Sequence, residues 1–256
     1  MNLQLEEEMS FKNYNVRLKD TIEIFTKRLF YTLFEQQNNN EEELSFLKTM
    51  FLEIAFKLSI EKGETVWEIY KSRISEIRKK LDLDAIAIEQ NDPATKSLEE
   101  VYLASPGFYA IAIYRLSHEL YELQIPIFPR MMSEHAHGIT GIDIHPGATI
   151  GDSFFVDHGT GIVIGETSII KNNVKIFQGV TLGGIKVKKS MSSTKRHPTI
   201  ENNVTIYANA TILGGNITIG ANSTIGANVW ITRSVPENSL VTYQTEIKIS
   251  TKKNGI

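Results

Sequence analysis

Histidine, carboxylate and arginine residues recur in the second half of this chain where a regular repeat has no need of them. Asp143-Ile144-His145-Pro146 comes first, then Asp157-His158-Gly159-Thr160-Gly161, then Gly165-Glu166-Thr167, and last Arg196-His197-Pro198. An imidazole changes protonation near neutral pH, so it can take up and return a proton. A guanidinium suits a carboxylate, through two parallel charge-assisted bonds. Singly, each histidine could be a corner residue satisfied by backbone groups. Several such departures within one short stretch point instead to a site.

The elements that must position these residues follow from the aliphatic spacing between Ile139 and Val235. Every sixth residue is aliphatic: Ile144, Ile150 and Val156; Ile164, Ile170, Ile176 and Leu182; Ile200, Ile206 and Ile212; Ile219, Ile225 and Ile231. Small or aliphatic residues often follow four positions later, at Ala148, Val174, Val180, Val204, Ala210, Ser223 and Val229. A period of six matches neither a helix nor an alternating strand, but it fits a solenoid coil with three flat faces. The aliphatic residue then points inward, and stacked coils bury a continuous column. Glycine and asparagine between the hexads tolerate the positive φ of tight corners. Three irregularities stand out: two extra residues between Val156 and Ile164, the basic stretch Lys186–Lys195, and one extra residue at Leu213-Gly214-Gly215-Asn216.

The first half reads as helical. Val16–Gln36 and Gly107–Leu123 are helix candidates. Leu44, Leu47, Phe51, Ile54, Ala55 and Leu58 form a helical stripe after an acidic start, and Val66, Tyr70, Ile74, Ile77 and Leu81 form another. Asn91-Asp92-Pro93, Pro106 and Pro126 break the pattern. The expected fold class is α+β: an N-terminal α-helical domain over residues 1–138, then a left-handed parallel β-helix of hexapeptide repeats over 139–240. A loop at about 185–197 should protrude, and a tail over 241–256 should be flexible.

Bulk properties narrow the function classes. The 256 residues carry a net charge of −3, which gives no electrostatic case for nucleic acid. No cysteine is present, so disulfides and thiolate metal sites are excluded. The acidic first residues lack a signal-peptide core, and no apolar run reaches membrane-spanning length. A soluble, cytoplasmic protein with no membrane or nucleic-acid partner is expected. The histidines at 118, 135, 137, 145, 158 and 197 include no pair five apart, the spacing of a solenoid carbonic anhydrase, so no metal site is expected.

Together, Asp143-Ile144-His145-Pro146, Asp157-His158-Gly159-Thr160-Gly161 through Gly165-Glu166-Thr167, Val180-Thr181-Leu182-Gly183-Gly184 and Arg196-His197-Pro198 resemble the serine O-acetyltransferase pattern, in the right order. Asp92-Pro93-Ala94, and Pro106-Gly107-Phe108 leading into Tyr114-Arg115, extend the resemblance over roughly residues 90–240. It implies acetyl transfer from acetyl-CoA, as co-substrate, to the hydroxyl of L-serine. By resemblance His158 is the general base and Asp143 the carboxylate that orients it. His197 is a second active-site histidine, which Glu166 steadies. Arg196 suits the serine carboxylate, and Asp92 and Asp157 suit its ammonium. The N–H of Gly184 is a candidate oxyanion donor, and Ala208 lines the CoA groove. The resemblance further implies a homotrimer or a dimer of trimers with sites between subunits, and L-cysteine as feedback inhibitor. It also implies a C-terminal Ile256 that docks on an O-acetylserine sulfhydrylase. Two other readings compete: an acetyltransferase of the same fold acting on a sugar or other hydroxyl acceptor, and a non-catalytic regulatory partner of cysteine synthase. The zwitterion clamp argues against the first, and the intact His158, Asp143 and His197 against the second.

Overall fold

The computed structural model describes residues 14–34, 40–185 and 194–244. The chain divides into two compact units, residues 1–68 and 69–256. Among the described residues six helices come first: α1 (Leu18–Phe34), α2 (Asn40–Lys57), α3 (Gly63–Asn91), α4 (Leu98–Ala104), α5 (Pro106–Glu122) and α6 (Phe128–Thr140). None of the described helices is long and apolar enough to cross a membrane.

In the first unit α1 packs on α2. Phe51 is its centre, with ring centroids 6.2 Å from Phe25 and 5.4 Å from Trp67. Arg28 closes the helix pair with two bonds to Glu43, of 2.7 and 2.6 Å.

In the second unit the helices give way to short strands just after Thr140. Gly141 caps α6 in the left-handed region, φ 70°, with its N–H on the carbonyl of His137 at 2.8 Å. That turn delivers the chain into β1 (Asp143–Ile144), followed by β2 (Thr149–Ile150) and β3 (Phe155–Asp157), which complete the first coil. The second coil is β4 (Val163–Ile164), β5 (Ile169–Ile170) and β6 (Lys175–Phe177). The third is β7 (Thr181–Gly183), β8 (Thr199–Ile200) and β9 (Thr205–Ile206), and the fourth β10 (Thr211–Leu213), β11 (Thr218–Ile219) and β12 (Thr224–Ile225). A fifth carries β13 (Trp230–Ile231) and β14 (Leu240–Val241).

Three parallel sheets result, and we call them faces A, B and C. Face A is β1-β4-β7-β10-β13, face B is β2-β5-β8-β11, and face C is β3-β6-β9-β12-β14. The hexad expectation is borne out. Ile144, Ile164, Leu182, Ile212 and Ile231 stand in register up face A. All the inward residues named from the sequence, Ser223 included, are buried.

The B–C corners are stitched by side chains. Asn173, Asn203, Asn222 and Asn238 all have positive φ. Each amide donates to the next asparagine oxygen, at 3.1, 3.0 and 3.2 Å.

Three expectations are refined. Pro106 marks the break after α4 and also begins α5, because a first-turn residue has no intrahelical N–H bond to lose. Helices α4 and α6 were not expected. The solenoid runs to Val241, one residue beyond the expected 240, because β14 pairs with β12. Most of the basic loop (186–193) and the tail from 245 to Ile256 lie outside the described residues.

Candidate active site

The two extra residues between Val156 and Ile164 are His158 and Gly159, and they form a bulge at the C–A corner of the first coil. His158 has φ 54° and Gly159 φ 80°. A Cβ on Gly159 would lie 2.3 Å from Ile142 Cδ1, so the bulge needs glycine there. The turn throws the His158 side chain outward, 74% exposed, with Nδ1 3.7 Å from Asp157 Oδ1.

Facing His158 is the loop that ends α3. Asp92 Oδ1 accepts from the Ala94 N–H at 2.8 Å and Oδ2 from the Thr95 hydroxyl at 2.7 Å. The Thr95 bond, helped by nearby His158, holds the Asp92 carboxyl below its ordinary range. Helix α5 closes the same cleft from above. Its N-cap Ser105 accepts from the Phe108 N–H at 3.1 Å. Its second residue is Gly107, where a Cβ would stand 2.8 Å from the Val156 carbonyl, so the helix start presses on β3. The cleft holds about 480 Å³, lined by Asp92, Thr95, Ser105, Asp157, His158 and Thr160 among others.

The second group occupies the A–B corners. Thr167 organises it. Its N–H donates to His197 Nδ1 at 3.0 Å, and its hydroxyl oxygen accepts from the N–H groups of Arg196 and His197 at 2.9 and 3.1 Å. Nδ1 is thereby an acceptor, so in the neutral ring Nε2 carries the proton. The His197 ring lies over Gly165, where a Cβ would come within 2.2 Å of it. His145, two coils below, is held alike: its Nδ1 accepts from the Gly147 N–H at 3.0 Å. Burial pushes both rings down to about 4, assisted by Arg196 at His197 and by Arg130 at His145.

Glu166 accepts from the Tyr121 hydroxyl at 2.9 Å and from Arg196 Nη2. Burial opposes its ionisation, but the bonds from Arg196 and Tyr121 prevail and keep the carboxyl below its usual range. Lys195 donates to the carbonyls of Thr167 and His197, at 3.0 and 2.6 Å. A Cβ on Gly215 would lie 2.1 Å from the Lys195 carbonyl, so the extra residue after Leu213 sits where the basic loop returns.

The residues expected from the sequence therefore fall into two groups. Asp92, Asp157 and His158 share the cleft at the C–A edge, where Ala208 also lies, two coils above Thr160. Glu166, Arg196 and His197 share the A–B edge, and Gly184 follows β7 there. Asp143 opens β1 beside Arg130, 3.9 Å away. Among the described residues no hydrogen bond or ion pair joins Asp143 to His158. Glu166 engages Arg196 and Tyr121, and Thr167 takes the role of steadying His197. Glu134, His137 and Asp143 lie close enough together to share a cation, yet Arg130 pairs with both carboxylates. Sequence reasoning missed Tyr121 and gave His145 and Thr167 no role, though it placed both in motifs that point to a site. Tyr121, outside the repeat, had no local signal.

The neutral histidines give the fold a pH dependence. Unfolded rings gain a proton near pH 6.5, whereas His145 and His197 in the fold gain one only near pH 4. Their contribution to stability is complete above pH 6.5 and is lost as pH falls from 6.5 to 4. The urea midpoint should fall across that window, and a His197→Asn variant should lose part of the fall. An unchanged slope in the variant would remove His197 from the account.

No protein-family profile matches the chain. The plasmid serine acetyltransferase of Synechococcus elongatus is 46% identical over 193 residues, which cover 73% of this chain and 60% of that protein. The matched stretch is thus less than two thirds of that relative's length. Serine acetyltransferase isoform 3 of Entamoeba histolytica, solved in complex with cysteine, is 39% identical, with a TM-score of 0.79 over 91% of this chain and 84% of that one. The Neisseria gonorrhoeae serine acetyltransferase, solved in complex with serine, is 30% identical, with a TM-score of 0.65 over 88% of this chain and 82% of that one.

Proposed function

The chain belongs to the serine acetyltransferase family, and from that premise we propose that it moves the acetyl group of acetyl-CoA to the hydroxyl of L-serine. The products are O-acetyl-L-serine and CoA, a step of L-cysteine biosynthesis in the cytoplasm. The observation that carries this reading is the pairing of an outward histidine beside two carboxylates, His158 with Asp92 and Asp157, with a guanidinium–histidine pair, Arg196 and His197.

In the reading, Asp92 and Asp157 receive the serine ammonium and Arg196 its carboxylate. His158 takes the hydroxyl proton as the oxygen attacks the thioester carbon. Asp143 stabilises the imidazolium that forms. His197 presents Nε2–H and so acts as a donor that orients the hydroxyl. The N–H of Gly184 receives the oxyanion, which needs a donor already in place. Small Ala208 leaves room for the pantetheine arm. The two groups occupy different edges of one solenoid, so the complete site forms where the C–A edge of one copy meets the A–B edge of the next in a trimer. The helices join two trimers into a hexamer. The segment around Ile256 is the docking element for an O-acetylserine sulfhydrylase, read as an extended peptide.

The test is thiol release from acetyl-CoA with L-serine, homoserine and sugars as acceptors. Serine should be strongly preferred, and L-cysteine should raise the apparent KM for serine, because sulfur for oxygen leaves the clamp unchanged. Preference for a sugar, or indifference to millimolar cysteine, would overturn the reading. Sedimentation of the full chain, alone and with the sulfhydrylase, checks the assembly; a lone monomer in both runs contradicts it.

A further inference from the structure

Tyr121 stands on α5, outside the repeat, yet its hydroxyl reaches the second coil. It donates to Glu166 Oε1 at 2.9 Å, and Glu166 Oε2 accepts from Arg196 Nη2. The crossing is built for closeness. Gly147 lies beneath it, and a Cβ there would meet Tyr121 Cζ at 2.8 Å, the tyrosine hydroxyl at 2.9 Å and Glu166 Cγ at 2.9 Å. The tyrosine ring also stands edge-on to His145, centroids 5.9 Å apart at 84°. Helix α5, the first A–B corner and the second A–B corner thus converge on one hydrogen bond, and the carboxylate that accepts it also accepts from Arg196.

We propose that Tyr121 is a positioning residue for the acceptor's carboxylate. Holding one oxygen of Glu166, it sets the other oxygen and with it the direction of the Arg196 guanidinium. A guanidinium is planar, with donors in a rigid fork, so its orientation decides which carboxylate it can grip with two bonds. Specificity for an acceptor with a free carboxylate is therefore set partly from α5, outside the repeat that carries the chemistry. The proposal rests on the acetyl-transfer reading above. A role in packing alone would make no distinction between acceptors, and that difference is measurable.

The experiment compares L-serine with L-serinamide, which keeps the hydroxyl and the amino group but has no carboxylate. Full-length Tyr121→Phe should raise KM for serine about five- to tenfold, the loss of one charge-assisted contact's alignment, with kcat nearly unchanged. KM for acetyl-CoA should stay at the wild-type value. The wild-type preference for serine over serinamide should shrink by the same factor. Gly147→Ala leaves hydroxyl and carboxylate in place but forces them apart, and it should shift the same ratio, so the test survives a poorly folding Tyr121→Phe. Equal losses on both acceptors, or a fall in kcat at constant KM, would overturn the positioning role. Wild-type failure to acetylate serine would instead strike the acetyl-transfer reading itself.

Discussion

Replacing His158 with alanine should lower acetyl transfer to L-serine by about two to four orders of magnitude, the range of a lost general base, with the fold intact. The side chain projects from a corner bulge and is largely exposed, so its removal leaves no cavity in the coil. The backbone at 158 has positive φ, which alanine adopts less readily than asparagine. His158→Asn is therefore the companion variant: it retains the turn and removes the base. Thiol release measures the rate, and circular dichroism with thermal melting measures the fold. Turnover within tenfold of wild type in either folded variant would take the proton-transfer role away from His158.

The second large effect concerns stability. Asp84 on α3 is fully buried, and Arg115 on α5 is 5% exposed. Arg115 Nε and Nη2 meet the two Asp84 oxygens at 2.5 and 2.8 Å. Nη2 also donates to the Gly151 carbonyl at 2.7 Å, and the Phe154 N–H donates to Asp84 at 2.9 Å. One ion pair thus ties two helices to the first B–C corner. Asp84→Ala strands a buried guanidinium and should cost about 3–5 kcal/mol of unfolding free energy. Adding Arg115→Met should recover part of that loss, because it removes the stranded charge. Urea denaturation of both variants checks the pair, and a loss under about 1 kcal/mol for Asp84→Ala would rank it with surface ion pairs.

The coil was legible because a repeat is counted along one dimension. Thirteen aliphatic positions in hexads named the inner column, and the two residues too many marked the bulge that bears His158. Contacts between distant segments were not legible. A helical stripe on α5 shows which side is apolar, but not which coil corner meets Tyr121, 45 residues upstream of Glu166. Glu166 was expected beside His197 by resemblance; the guanidinium of Arg196 is the stronger partner for a carboxylate. Helix α6 was hidden behind Pro126, which read as a breaker, and it also carries Pro129 and Gly138. Pro129 falls in the first turn, where a missing N–H removes no bond.

The asparagine ladder and the parallel strand register have a mechanical consequence. Above the first two coils, which α5 also grips, each coil is held to its neighbours alone, by strand and corner bonds and one amide bridge per step. Under tension applied at the C-terminal end, no bond deeper in the stack shares the load. The solenoid should yield coil by coil, each step releasing about 18 residues, or roughly 60 Å of contour length. The basic loop joins β7 to β8, so the third coil releases a longer length than its neighbours and marks its own place in the sequence of ruptures.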